Sequence, residues 1–199
     1  MTQSTCGNNN GGITITANGG NGNYQYSINN GSTFQPGNMF NGLPAGNYSI
    51  VVMDGSGCTA SLPASVTDAA SPQINSIPFV NAACFGQNNG SITIHATGGT
   101  GALQYSINGG LTFHPGNNFN ALAAGTYNIV VTDANGCSAA SQVIITQPPQ
   151  INVSSSTVSS SCGNSDGSIT VSANGGTGTL QYSINGGITF QAGSSFSNL

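Results

Sequence analysis

Residues 122–137 read LAAGTYNIVVTDANGC, and this stretch indicates how the chain folds. Tyr127, Ile129 and Val131 alternate with residues of the opposite face, which is the period of a β-strand with one buried side. A glycine-bearing corner precedes this strand. After it, Asn135 and Gly136 suit the positive φ angles of a hairpin turn. The stretch therefore predicts a half-buried strand held between two turns.

The same pattern recurs along the chain. Cys6, Cys84 and Cys162 open three similar units and are spaced 78 residues apart. Each unit continues through an Ile-Thr strand, a Gly-Gly-x-Gly turn, the sequence Gln-Tyr-Ser-Ile-Asn and two phenylalanines. A repeat at a fixed period indicates tandem structural units.

Two similar sequences mark the unit boundaries, Pro72-Gln73-Ile74-Asn75 and Pro149-Gln150-Ile151-Asn152. They predict a first repeat over 1–71 that lacks its first strand, a complete second repeat over 72–148, and a third over 149–199 that lacks its last strands. The segment is then an excerpt of a longer chain. Because little sequence separates the units, we expect them to stack end to end.

Strand signals dominate within each unit, and no helical period occurs. In the second repeat the pattern predicts strand A over 74–83, B over 91–97 and C over 102–107. Short middle strands follow in 111–122, and then come F over 126–132 and G over 138–146. Tyr48 and Tyr127 each open a late strand after a glycine corner, as in the tyrosine corner of immunoglobulin-like sandwiches, where the hydroxyl bonds to upstream backbone. The predicted fold is all-β, a tandem array of immunoglobulin-like β-sandwich repeats with a period of about 77–78 residues.

Charge is almost absent from the chain. It has no Lys or Arg, and its four acidic residues are Asp54, Asp68, Asp133 and Asp166. Without basic residues it has no counter-charge for phosphate backbones or anionic lipids, so we expect no nucleic-acid partner. The sequence contains no run of about 18 apolar residues, so we expect no membrane insertion. Five cysteines indicate an oxidising, extracellular location.

The combined motifs resemble one known family. The second repeat runs from GSITI through GGTG and QYSINGG to LAAGTYNIVVTDANGC, and this order resembles the SprB-type repeat of very large cell-surface adhesins of gliding Bacteroidota-type bacteria. The resemblance covers essentially the whole chain. It implies type IX secretion, attachment to the bacterial cell surface, and a role in adhesion or gliding motility.

Side chains that could carry catalysis are few. His95 and His114 both lie in the second repeat, and other repeats carry Thr, Gln or Ser at those positions, which indicates surface substitutions. We therefore expect no enzyme activity, no catalytic residues, no cofactor and no metal site. Asp133 and Asp166 fit turns better than a calcium site, although weak calcium binding at these turns stays open.

Aromatic residues also recur in each repeat. Tyr26, Tyr105 and Tyr182 share one position, and Phe34, Phe113 and Phe190 share another. Recurrence predicts core packing for both sets, with a sugar-stacking platform as the alternative.

Two classes of function remain open. One is a structural or adhesive repeat segment of a large secreted bacterial surface protein or extracellular filament. The other is a carbohydrate- or ligand-binding accessory module of a secreted enzyme. Neighbouring repeats are the expected partners. Lateral self-association into filaments stays open because no lysine guards the strand edges, and so does binding of a surface polysaccharide.

The cysteine pairing depends on strand order. Pairing within repeats would join Cys84 to Cys137, yet the A–B and F–G turns lie at opposite ends of an immunoglobulin-like sandwich, about 20 Å apart. Stacked units would instead bring the A–B turn of one repeat to the F–G turn of the next. This favours an inter-repeat Cys6–Cys137 bond, with partners outside the segment for Cys58, Cys84 and Cys162. Pairing within repeats and free thiols remain the alternatives.

Overall fold

Every regular element of the protein is a β-strand. The computed structural model describes residues 1–199. Up to the first predicted boundary the strands are β1 (Ser4–Thr5), β2 (Gly11–Thr14), β3 (Gln25–Ser27), β4 (Met39–Leu43), β5 (Gly46–Met53), β6 (Thr59–Val66) and β7 (Asp68–Ala69). Next come β8 (Pro72–Ser76), β9 (Phe79–Val80), β10 (Gly90–Thr93), β11 (His95–Gly98), β12 (Gln104–Ser106), β13 (Asn118–Leu122), β14 (Gly125–Thr132) and β15 (Ser138–Ile145). The last strands are β16 (Asn152–Val158), β17 (Ser168–Asn174) and β18 (Ser195–Ser197).

The chain packs as two compact units. One comprises Met1–Ile77, Ile94–Asn117 and Asn128–Gln142, and the other comprises Pro78–Thr93, Asn118–Tyr127 and Val143–Leu199. These bounds follow spatial packing and differ from the boundaries at residues 71 and 148 that the repeat period predicts. None of the elements is a helix with the length and hydropathy needed to cross a bilayer.

In the first unit, the first repeat forms a β-sandwich. Strands β3, β5 and β6 make one antiparallel sheet, and β2 pairs with β4 in the other. The short β1 pairs parallel with β7. The core between the sheets contains the buried side chains of Ile13, Ile15, Tyr26, Ile50, Ala64 and Val66. The all-β, immunoglobulin-like fold class predicted from the sequence is therefore confirmed.

Strand pairing follows the predicted order. Strands β12, β14 and β15, the predicted C, F and G, form one antiparallel sheet. In the first unit Ile129 and Val131 of β14 are 1% and 0% exposed, as the alternation predicts. In the second unit β10 lies between β9 and β13, and β17 lies between β16 and β18.

The Gln-Tyr-Ser-Ile-Asn motif builds the turn after strand C. Ser106 is fully buried; its hydroxyl donates to Asn108 Oδ1 at 2.8 Å and accepts the Gly110 N–H at 2.9 Å. Asn108 in turn donates to the Thr112 hydroxyl at 2.8 Å. The first and third repeats form the same bonds around Ser27 and Ser183. Because a buried hydroxyl without partners is costly, these contacts explain why the four residues occur together.

The prediction of a core position for the recurring phenylalanines is wrong. Phe34, Phe113 and Phe190 are 36%, 38% and 59% exposed. Each ring lies over the second glycine position of the turn just described: Phe113 Cζ is 3.5 Å from where a Cβ on Gly110 would lie. That glycine has a φ of +88°, which other residues rarely adopt. These rings therefore cover a local turn and lie outside the core; among the recurring tyrosines, Tyr26 is buried.

Candidate functional site: the inter-repeat junction

A disulfide joins two repeats of the chain. Cys6 and Cys137, 131 residues apart, are bonded at an S–S distance of 2.08 Å with a Cα–Cα distance of 5.0 Å. This is the pair that the strand order favours. Cys84 is not bonded to Cys137; together with Cys58 and Cys162 it is exposed and unbonded in the structure.

Asp68 holds the turn that presents Cys6. Its Oδ1 accepts the hydroxyl of the buried Ser4 at 2.5 Å, and its Oδ2 accepts the Gly7 N–H at 2.9 Å. Cys6 and Gly7 both have positive φ angles, +58° and +69°, so the chain reverses sharply here. The sequence analysis assigned no role to Asp68. The carboxylate fixes the A–B turn from the far end of the same repeat. In the second repeat Gln147 makes the equivalent contact with the Gly86 N–H at 2.8 Å, at the same spacing of 61 residues.

Asp133 builds the opposite side of the junction. Its Oδ1 accepts the N–H groups of Asn135 and Cys137, both at 2.9 Å, and its Oδ2 accepts the Thr100 N–H at 2.8 Å. Asp133 is 5% exposed and Cys137 is 1% exposed. The Thr100 amide, helped by those of Cys137, Asn135 and Gly136, lowers the pKa of Asp133 below its ordinary value despite the opposing effect of burial. The carboxylate thus ties the F–G turn to the B–C turn and orients the cysteine.

Asp54 plays the same part in the first repeat. Burial acts to raise its pKa, but N–H groups of Cys58, Asn21, Ser56 and Gly57 outweigh that effect and lower the pKa. Cys58 donates to Asp54 Oδ1 at 3.0 Å, as Cys137 does to Asp133. The F–G turns of the two repeats are therefore built alike, although only one presents a bonded cysteine.

Asp166 is a turn residue, as predicted. Its carboxylate accepts the Ser161 N–H at 2.6 Å. In the first repeat Asn10 accepts the Thr5 N–H at 2.8 Å, and in the second Asn89 accepts the Ala83 N–H at 2.9 Å. The Ser161 hydroxyl, followed by the Ser161 amide, lowers the pKa of Asp166. No cluster of three or more His, Cys, Asp or Glu side chains that could hold a metal ion occurs in the structure.

The remaining predicted residues lie apart from the junction chemistry. The hydroxyl of Tyr48 donates to the Pro44 carbonyl at 2.8 Å, and that of Tyr127 donates to the Ala123 carbonyl at 2.9 Å. Both bonds have the upstream geometry of a tyrosine corner. His95 and His114 are both exposed.

Three solved structures match this chain at low identity and low TM-score. The N-terminal eight Ig domains of Down Syndrome Cell Adhesion Molecule isoform 1.30.30 match at 13% identity and a TM-score of 0.44, over 88% of this chain and 27% of that one. Domains 3–5 of the Drosophila OTK extracellular region match at 11% identity and a TM-score of 0.32, over 73% and 58%. Domains 4 and 5 of the S-layer protein SbsC match at 16% identity and a TM-score of 0.28, over 63% and 70%. The chain thus spans about a quarter of the first of these structures.

A comparison with curated proteins gives no sequence match. The model of the SprB repeat matches three segments, residues 1–33, 76–112 and 154–189, which together make up more than half of the chain. Each segment contains the cysteine that opens a repeat and the Gln-Tyr-Ser-Ile-Asn turn described above. The chain therefore belongs to the SprB repeat family, an extracellular repeat module of surface proteins.

Proposed function

We propose that this chain is a structural and adhesive segment of a large secreted bacterial surface protein, acting in adhesion or gliding motility rather than in catalysis. The observation that carries the proposal is the Cys6–Cys137 bond, which ties one repeat to the next. When the two ends of the chain are pulled apart, a bond between repeats keeps the residues between its two cysteines from extending. This property is useful to a surface protein under load. Membership of the SprB repeat family supports the same reading.

The other three cysteines extend this arrangement. Cys58 is the first-repeat equivalent of Cys137, and Cys84 and Cys162 are equivalents of Cys6. All three are exposed. In a longer array each bonds to a cysteine of an adjacent repeat outside this segment, so that every junction is covalent. The exterior lacks lysine and arginine, which leaves lateral association of neighbouring chains electrostatically unopposed.

Single-molecule pulling tests the load-bearing part of the proposal. The chain is stretched from its two ends with and without a reductant. Because the bond spans 131 residues, reduction should release roughly 430–470 Å of additional extended length. Equal lengths under the two conditions would contradict a load-bearing staple. The Cys58→Ala variant, in which an unbonded thiol is removed, is the control.

A cell assay tests the adhesive part. Bacteria that produce the parent protein are compared with a strain in which this segment is deleted, and attachment to a surface and spreading are measured under flow. We expect the deletion to reduce attachment or spreading while the protein still reaches the surface. Unchanged attachment and spreading, with normal surface display, would contradict the proposed role.

A further inference from the structure

All four acidic residues of the chain lie beside cysteines. Each carboxylate accepts the N–H group of a cysteine or of the residue next to one: Asp54 that of Cys58, Asp133 that of Cys137, Asp68 that of Gly7 after Cys6, and Asp166 that of Ser161 before Cys162. The chain has no Lys or Arg to offset these charges. The negative charge of the side chains is therefore concentrated at the turns that carry the cysteines.

Two of the four carboxylates flank the disulfide, within the first compact unit. Asp68 bonds to the residue after Cys6, and Asp133 bonds to Cys137 itself. Covalent geometry then places each sulfur within about 7 Å of a carboxylate oxygen. Cys6 is half-buried and Cys137 is 1% exposed, so a thiol from solvent reaches the bond at the Cys6 sulfur. An attacking thiolate therefore comes close to two negative charges.

The second repeat builds the same A–B turn without a charge. There Gln147 accepts the Gly86 N–H, as Asp68 accepts the equivalent N–H in the first repeat. Ser4, whose hydroxyl bonds to Asp68, is replaced in the second repeat by Ala82, which is 4% exposed. A neutral side chain is therefore sufficient to hold this turn. The need to hold the turn does not explain why residue 68 carries a charge.

Reduction of the bond by a thiol passes through two exchange steps. A thiolate attacks the Cys6 sulfur and bonds to it, the Cys6–Cys137 bond breaks, and its electron pair stays on the Cys137 sulfur as a thiolate. A second thiolate attacks the reductant's sulfur in this mixed disulfide, which releases the Cys6 thiolate and leaves the reductant oxidised to its own disulfide. The thiolate on Cys137 forms in a buried position next to the Asp133 carboxylate, and both burial and a like charge disfavour it.

We propose that the carboxylates of Asp68 and Asp133 protect the inter-repeat disulfide against reduction by thiols, most strongly by thiols that carry a further negative charge. Asp68 repels the thiolate that approaches Cys6, and Asp133 disfavours the thiolate that leaves on Cys137. This inference goes beyond the proposed function, because it concerns the chemistry of the bond and does not depend on what the protein adheres to.

Three small thiols of different charge test the proposal: cysteamine, 2-mercaptoethanol and 2-mercaptoethanesulfonate. The whole 199-residue chain is used with its bond intact and its three exposed thiols capped by iodoacetamide, which adds no charge. Reduction is followed at neutral pH and low ionic strength, and each rate constant is divided by the thiolate concentration. We expect cysteamine to be fastest and the sulfonate slowest. A unit charge about 7 Å away changes such a rate by a factor between about 3 and 50, depending on the effective dielectric constant. About 1 M salt should remove most of the difference.

A neutral-turn variant, Ser4→Ala with Asp68→Gln, separates charge from structure. It gives the first repeat the two side chains that the second repeat carries in the same turn. The ratio of the cysteamine rate constant to the sulfonate rate constant should fall at least about threefold from that of the parent. Asp166→Asn is the matched control, because it also removes one charge but lies in the other compact unit and bonds to Ser161. We expect this control to leave the ratio unchanged.

Several results would overturn the proposal. Equal rate constants for the three thiols on the parent chain would do so, and this measurement does not depend on the folding of any variant. An unchanged ratio in the neutral-turn variant, or an equal acceleration of all three thiols, would show that Asp68 only holds the turn. A change with Asp166→Asn as large as that with the neutral-turn variant would assign the effect to net charge. None of these outcomes bears on the cell-attachment assay, so the two proposals can fail separately.

Discussion

Removing the Cys6–Cys137 bond should destabilise the protein measurably. The bond spans 131 residues, and for a loop of that length the chain-entropy relation gives about 5 kcal/mol of stabilisation, through restriction of the unfolded chain. Losing a native disulfide typically costs about 2–5 kcal/mol, since native-state effects offset part of that amount. At this chain length about 2–4 °C of melting temperature correspond to each kcal/mol. The double variant Cys6→Ala, Cys137→Ala should therefore melt roughly 4–20 °C below the oxidised parent.

Calorimetry on the oxidised parent, the reduced parent and the double variant makes the comparison. Reduced parent and double variant should behave alike, because both lack the cross-link. Alanine is preferred to serine at residue 137, since that side chain is buried and a hydroxyl there would add a separate penalty. Cys58→Ala removes an exposed thiol and should leave the transition unchanged. If the double variant melts at the same temperature as the Cys58→Ala variant, the cross-link does not stabilise the chain and the reasoning from loop length is refuted.

Three further predictions concern acid, the turn network and proteolysis. Asp133 has a folded-state pKa below its ordinary value of 3.8, so its stabilising contribution is present above pH 3.8 and is lost as the pH falls through the folded-state pKa. Asp133→Asn should therefore lower the melting temperature at neutral pH, and the difference from the parent should shrink in acid. Ser106→Ala leaves the Gly110 N–H without its partner and should cost about 1–3 kcal/mol in denaturant unfolding, whereas Ser183→Ala, at a more exposed copy of the same turn, should cost less. Trypsin should cleave neither folded nor unfolded chain, because there is no Lys or Arg, while chymotrypsin should digest the unfolded chain at its Tyr and Phe residues; tryptic fragments would contradict this.

Local physics made the strands and turns predictable. Alternating apolar residues such as Ile129 and Val131 place one face of a strand in the core, and Asn-Gly turns terminate strands through backbone preferences that need no distant partner. Asp166 was predicted as a turn residue on the same basis. Its bonds to Ser161 lie only five residues away in sequence.

Recurrence was a poorer guide to burial. Phe34, Phe113 and Phe190 recur once per repeat, which was interpreted as a core position, yet all three lie over an exposed turn. A residue that packs on its own turn recurs as regularly as a core residue does. Periodicity therefore shows that a role is repeated without showing whether the side chain faces the core.

By itself, the sequence determined the all-β class, the repeat period and the positions of the turns that carry the cysteines, because each depends on residues close together in the chain. Only the tertiary structure decided between the cysteine pairings that the sequence left open and showed what Asp68 holds. Those outcomes depend on segments far apart in sequence, and the contacts of an equivalent residue change with the strand or repeat that packs beside it.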